Sequence, residues 1–193
     1  MKNWIEPLKE MGACGDALEW CKGYESLVDA WAVCPRGDWM LWLLGKLSGK
    51  PESVSHKKLV LVACQCARLA LPYAKEGELR PLRAIEVTEA WARGEKGIRR
   101  EDVRSAADAA DAAYAAAAST YSAAAYAADA AAHAAHGAHA ASAAECAAAA
   151  ADAAHATAYA ATYAANTSRI SILEKCADIV RDYYPVAPKL KRK

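Results

Sequence analysis

Along this chain of 193 residues the apolar positions keep a helical period almost throughout, but the side chains that mark it change. From residue 4 to about 93, large apolar residues recur at spacings of three and four, the signature of amphipathic helices. From 105 to 165 they give way to alanine, and from 168 to 184 large residues return. No alternating run of period two is present, so the pattern predicts an all-α fold of about eight helices.

Taken in order, 3–11 carries Trp4, Ile5 and Leu8 on one side and ends at Gly12. Segments 16–22 and 26–33 follow, with Leu18, Trp20, Leu27, Val28 and Trp31 as apolar contacts. Cys34-Pro35-Arg36-Gly37-Asp38 reads as a turn, with Asp38 the expected N-cap of a helix over 39–47. Trp39 to Leu44 are apolar without interruption, which marks that helix as the buried centre of the N-terminal part. Helices over 54–74 and 79–93 come next, and Pro81 is tolerated because it falls in a first turn. The last helix, 168–184, carries Ile170, Ile172, Leu173, Cys176, Ile179 and Val180, and is stopped by Pro185.

The central stretch decides the architecture. Between Ser105 and Ala165, 38 of 61 residues are alanine and none is leucine, isoleucine or valine, so helix propensity is near its maximum while large apolar contacts are missing. A single rod of this length would reach roughly 90 Å at about 1.5 Å per residue. The polar stripe of the first half, which includes Asp108, Asp111, Ser122, Tyr126, Asp129, His133 and His136, is out of phase with the stripe carried by Ser142, Glu145, Asp152, Tyr159 and Tyr163. The phase changes at His136-Gly137, where glycine suits a helix C-cap and histidine the negative end of the helix dipole. The expectation is therefore a multi-helix bundle with a long alanine-rich helical hairpin, 101–136 and 138–166, its alanine faces in contact, with a single bent helix as the alternative. The organisation that follows is an N-terminal helical part with a tryptophan-rich core (1–100), the hairpin packed on it (101–166), a C-terminal helix (167–185) and a disordered basic tail (186–193).

Charge and cysteine usage narrow the classes. Lysine plus arginine number 24 and aspartate plus glutamate 23, a balance that gives no general attraction to nucleic acid or to an anionic membrane. The longest uncharged alanine run, 112–128, is too short and too weakly apolar to cross about 30 Å of hydrocarbon. Residues 1–10 carry Glu6 and Pro7 and lack an apolar stretch, so no secretory leader is expected. Seven cysteines in no regular framework point to reduced thiols and a cytoplasmic location.

Few residues carry chemistry. Asp129, His133 and His136 lie on one helix face at i, i+4 and i+7, a spacing able to hold a transition metal, although solubilising side chains at a helix end explain them better. Cys64-x-Cys66 points its thiols about 200° apart on a helix and reads as packing. Arg83, Glu86 and Glu89 suit an ionic cluster on a solvated helix face. Arg93, Lys96, Arg99, Arg100 and Arg104 crowd one connection, diluted by Glu95, Glu101 and Asp102. Neither a phosphate-cradling glycine loop nor a serine-nucleophile signature is found, so no enzyme and no cofactor is expected. Six tryptophans with no phenylalanine suit a core, with one or two at a binding surface.

At Cys34-Pro35-Arg36-Gly37-Asp38-Trp39-Met40-Leu41-Trp42-Leu43, with Arg68 to Tyr73, Arg80 to Glu86, Ala90-Trp91 and the Cys176 to Arg181 helix, the chain resembles immunity proteins of polymorphic toxin systems, a family that also occurs in phages and prophages. The resemblance implies an all-helical, non-enzymatic inhibitor that binds and neutralises a toxin or effector protein. Asp38, Trp39, Trp42, Arg83, Glu86 and Trp91 match the pattern and are the partner-binding candidates it implies. Two alternatives stand beside it. A phage counter-defence protein could sequester a nucleotide-type signalling molecule, or block a host defence protein, with Tyr114, Tyr121, Tyr159 and Tyr163 stacking on a base. An oligomerising interaction module would pair chains through its alanine-rich helices.

Overall fold

In the computed structural model, which describes residues 4–118, 122–140, 142–165 and 169–190, the chain is a bundle of ten α-helices, with no strand among the described residues. The order is α1 (Glu6–Glu10), α2 (Gly15–Cys21), α3 (Leu27–Val33), α4 (Gly37–Leu47), α5 (Val54–Arg68), α6 (Arg80–Arg93), α7 (Arg100–Ala118), α8 (Ala123–His139), α9 (Ala143–Ala165) and α10 (Arg169–Tyr183). A 3-10 turn, Leu71–Tyr73, closes what the sequence pattern joins to α5, because Pro72 cannot continue the helical hydrogen bonding. Gly94, in the left-handed conformation at φ 75°, ends α6.

The alanine-rich region folds back on itself, but as three helices rather than two. Gly137 lies inside α8, so the expected break at His136-Gly137 is not the observed one. The breaks are set by serines that the sequence pattern assigned to polar stripes. Ser122 accepts the Ala125 N–H at the start of α8, and Ser142 accepts the Glu145 N–H at the start of α9. A serine that satisfies an orphan N–H outranks a glycine whose Cβ would have fitted: at Gly137 it would meet Val60 Cγ2 at 3.7 Å, an ordinary contact.

The centre of the bundle is consequently an alanine helix. α8 packs against α7, α9, α6 and α5, and Ala127, Ala130, Ala131, Ala134, Ala135 and Ala138 are buried. Each buried methyl contributes on the order of 0.8 kcal/mol, so the packing works through number and close approach rather than bulk. Polar pins fix the register. Buried His56 receives the Glu52 N–H on Nδ1 and donates from Nε2 to the Gly137 carbonyl at 2.8 Å, capping the end of α8. Thr157 Oγ1 donates to Ala153 O at 2.7 Å and lies 3.3 Å from Cys66 O, joining α9 to α5. Much of the alanine surface is used inside the chain, while Ala112, Ala115, Ala116, Ala148 and Ala164 stay exposed.

α4 is buried through Met40, Leu41, Leu43 and Leu44, as its apolar run predicts, and packs on α9 and α10. Its first turn lies so close to α10 that a Cβ on Gly37 would stand 2.5 Å from Cys176 Cβ and 2.7 Å from the Ala177 nitrogen. Past α10 the chain is not free as far as it is described: Ala187 and Leu190 lie against the core, where the pattern predicted a disordered basic tail from 186.

Candidate functional site

Between α1–α4 and α9 the helices leave a half-open cavity of about 280 Å³. Trp20, Trp31, Trp39 and Trp42 line it together with Leu8, Leu27, Met40 and Leu43, while Ala151 and His155 face it from α9. Alanine on that side leaves space that a larger residue would fill. Trp20 and Trp39 meet with ring centroids 6.0 Å apart, and the Arg36 guanidinium stands 4.3 Å above the Trp39 ring, a cation–π distance.

Local sequence explains the polar end of the cavity. Pro35 holds the preceding Cys34 in extended backbone, and Arg36, at φ −112° and ψ 87°, is the last non-helical residue before the helix begins at Gly37. Asp38 then lies in the first turn of α4 rather than at its N-cap, correcting the predicted role: its carboxylate is given to side chains. Arg36 donates to it through Nε at 2.8 Å and Nη2 at 2.5 Å, and His155 Nε2 stands 2.6 Å from Oδ2. Asp38 is only 2% exposed. Burial alone would raise its pKa, but the hydrogen bonds from Arg36 and His155 outweigh it and hold the carboxyl at about 2. Arg181 Nη1 braces the wall from α10, donating to the Cys34 carbonyl at 2.8 Å.

Three cysteines, Cys14, Cys21 and Cys34, also line the cavity. Burial pushes the Cys34 thiol up to about 11, and burial and the neighbouring Cys14 raise Cys21, so both remain protonated and weakly nucleophilic at neutral pH. Among the described residues, no group of three His, Cys, Asp or Glu side chains is placed to hold a metal ion.

The partner-binding candidates divide. Asp38, Trp39 and Trp42 belong to the cavity, whereas Arg83 and Glu86 are exposed on α6 and do not approach it. Trp91 is buried, edge-on to His56 at 6.0 Å and under the Lys57 ammonium at 4.9 Å. It lines a second, polar recess of about 420 Å³, in which Lys57, Arg99 and Arg100 are balanced by Glu52, Glu95 and Glu101. Glu89, expected on a solvated face, is 4% exposed and receives Arg68 at 2.7 and 2.8 Å and Gln65 at 2.8 Å.

Tyr159 and Tyr163 each stack on Tyr126 at 5.2 Å, and Arg169 lies 4.8 Å over Tyr159. These rings therefore pack on one another. Tyr114 is half-buried on α7, and Tyr121 lies outside the described residues. The histidine cluster is split between carboxylates: His133 pairs with Asp129 at 3.3 Å, while His136 turns to Asp111 on α7 at 2.9 Å. The hydrogen bond that His133 donates to Asp129 is the largest effect on it and raises its pKa, although burial works against the charged form.

The pattern missed Arg36 and His155 as site residues. The signal for His155 was present, three residues after Asp152 and four before Tyr159 on the polar stripe of α9, but what that stripe faces depends on how α4 crosses α9. Comparison of the chain with protein-family models, with curated proteins and with solved structures finds no match.

Proposed function

We propose that this protein is a non-enzymatic binder that sequesters a small molecule by enclosing an apolar body in the tryptophan-lined cavity. The observation that carries the reading is the cavity itself: rigid helices on both sides, four indoles, and a single polar end. Support for binding without turnover comes from that end. An Asp38 carboxyl held at about 2 and already hydrogen-bonded to three nitrogens is a poor general base at neutral pH, and the Cys34 thiol is a poor nucleophile. For a nucleotide, the cavity offers one arginine, already paired.

A second reading is inhibition of a toxin or effector protein, the role implied by the resemblance to immunity proteins. It is favoured by Trp20, Trp39 and Trp42, which are half-buried and would grip a projecting apolar side chain of a partner. Native mass spectrometry of freshly purified protein separates the two. An adduct of small mass, lost on mild denaturation, is the expected result. Its absence, together with a stoichiometric protein complex that Ala17→Phe, in the wall that α2 gives the cavity, disrupts, would overturn the first reading in favour of the second.

A further inference from the structure

The polar end of the cavity specifies the charge and chemistry of what it takes. We infer that the ligand is an uncharged molecule with an apolar body and a carbonyl-type oxygen, an amide or a ketone, that accepts a hydrogen bond from Arg36. This rests on the reading of the cavity as a small-molecule site and adds its selectivity.

Charge is counted first. Arg36 and Asp38 sum to zero, and His155, the third group at this end of the cavity, is turned to Asp38 through Nε2. A ligand carboxylate would bring a second anion beside Asp38 with no unpaired arginine or lysine among the lining residues to meet it, and a buried unpaired charge is costly. A ligand cation fares no better, because Asp38 is the only acid lining the cavity and its oxygens already receive Arg36 Nε, Arg36 Nη2 and His155 Nε2. Neutral ligands avoid both penalties.

Donors are counted next. Arg36 has three nitrogens, of which Nε and Nη2 are given to Asp38; Nη1 makes no hydrogen bond among the described residues. The guanidinium is fixed by the bidentate pair below and the Trp39 ring beside it, so its remaining N–H groups are oriented before any ligand arrives. Asp38 takes up Arg36 Nε and Nη2, and His155 meets its Oδ2 through Nε2 at 2.6 Å. The wall thus offers one fixed charged donor, at a polar end shared with Asp38 and His155 and facing an otherwise largely apolar lining. A site with one pre-oriented donor discriminates strongly against a ligand lacking the acceptor, because the donor is then desolvated without a partner.

Three probes of nearly equal outline test this by fluorine NMR on the full chain: 4-(trifluoromethyl)benzamide, 4-(trifluoromethyl)benzoate and 4-(trifluoromethyl)toluene. Expected is binding of the benzamide about tenfold tighter than of the other two, in keeping with one hydrogen bond from a charged donor. Arg36→Lys, which keeps the charge beside Asp38 but removes the fork, brings the benzamide to the level of the toluene. Ala17→Phe, which fills the cavity from the α2 side, abolishes binding of all three, with circular dichroism confirming that both variants fold. Equal affinity for benzamide and toluene, or tightest binding of the benzoate, overturns the inference and leaves the small-molecule cavity standing. Failure of all three probes to bind overturns both.

Discussion

Gly37→Ala tests the packing on which the site depends. The added Cβ would stand 2.5 Å from Cys176 Cβ and 2.7 Å from both the Cys176 carbonyl carbon and the Ala177 nitrogen. Two of these three atoms are main chain of α10, so no rotamer change relieves the clash, and α4 and α10 must separate by about 1 Å. Overpacking of this kind costs typically about 1–3 kcal/mol, and contact with backbone puts this case at the upper end. Alanine returns part of that, since glycine in a helix costs up to about 1 kcal/mol, less in a first turn. The net loss is about 2 kcal/mol, which for a chain of this length lowers Tm by about 4–8 °C. Thermal unfolding followed by circular dichroism measures it, with Gly15→Ala as the control. A Cβ at Gly15, in the first turn of α2, meets nothing within 4 Å, so that variant should be neutral or slightly stabilising. If Gly37→Ala unfolds at or above the wild-type temperature, the close backbone contact between α4 and α10 is refuted.

Two further variants probe the ion pairs. Asp38 has a folded pKa of about 2 against an ordinary 3.8, a depressed acid, so its contribution is present above pH 3.8 and is lost as pH falls toward 2. At about 1.4 kcal/mol for each pH unit of that gap the contribution is about 2 kcal/mol, and urea titrations between pH 5 and 2 should show a loss of that order in the wild type that Asp38→Asn lacks. Parallel curves for the two proteins would remove Asp38 from the account. Glu89→Ala leaves Arg68 and Gln65 without their shared acceptor; because Arg68 is about one-third exposed, the expected cost is about 2–3 kcal/mol rather than the larger values of fully buried pairs. Glu86→Ala, three residues earlier and exposed, should stay within about 0.5 kcal/mol, and equal effects at the two sites would contradict the burial of Glu89.

Helix type and order were legible in the sequence wherever large apolar residues kept the period, as in α4 and α10, because one face of each meets a core of side chains with shape. In the alanine-rich stretch the period is carried only by what is not alanine. A polar residue there marks either a solvent face or a cap, and composition does not distinguish them: Ser122 and Ser142 are caps, while Asp108 and Asp152 are exposed. The site was half legible for a similar reason. Trp39 and Trp42 stood out by size, but Arg36 gains its role from the turn that Pro35 and Gly37 impose, and His155 from a helix crossing 117 residues away from Asp38.

The alanine core has a thermal consequence. The heat capacity released on unfolding follows the apolar area exposed, about +0.45 cal/K/mol for each Å², less about 0.26 for each Å² of polar surface. A helix such as α8, buried by methyl groups at its centre, hides little hydrocarbon for each residue while hiding its full share of amides. The increment per residue should therefore lie below the usual 12–15 cal/mol/K, and the curve of stability against temperature should be correspondingly flat. A bundle centred on alanine gains little from its best temperature and loses little on either side of it.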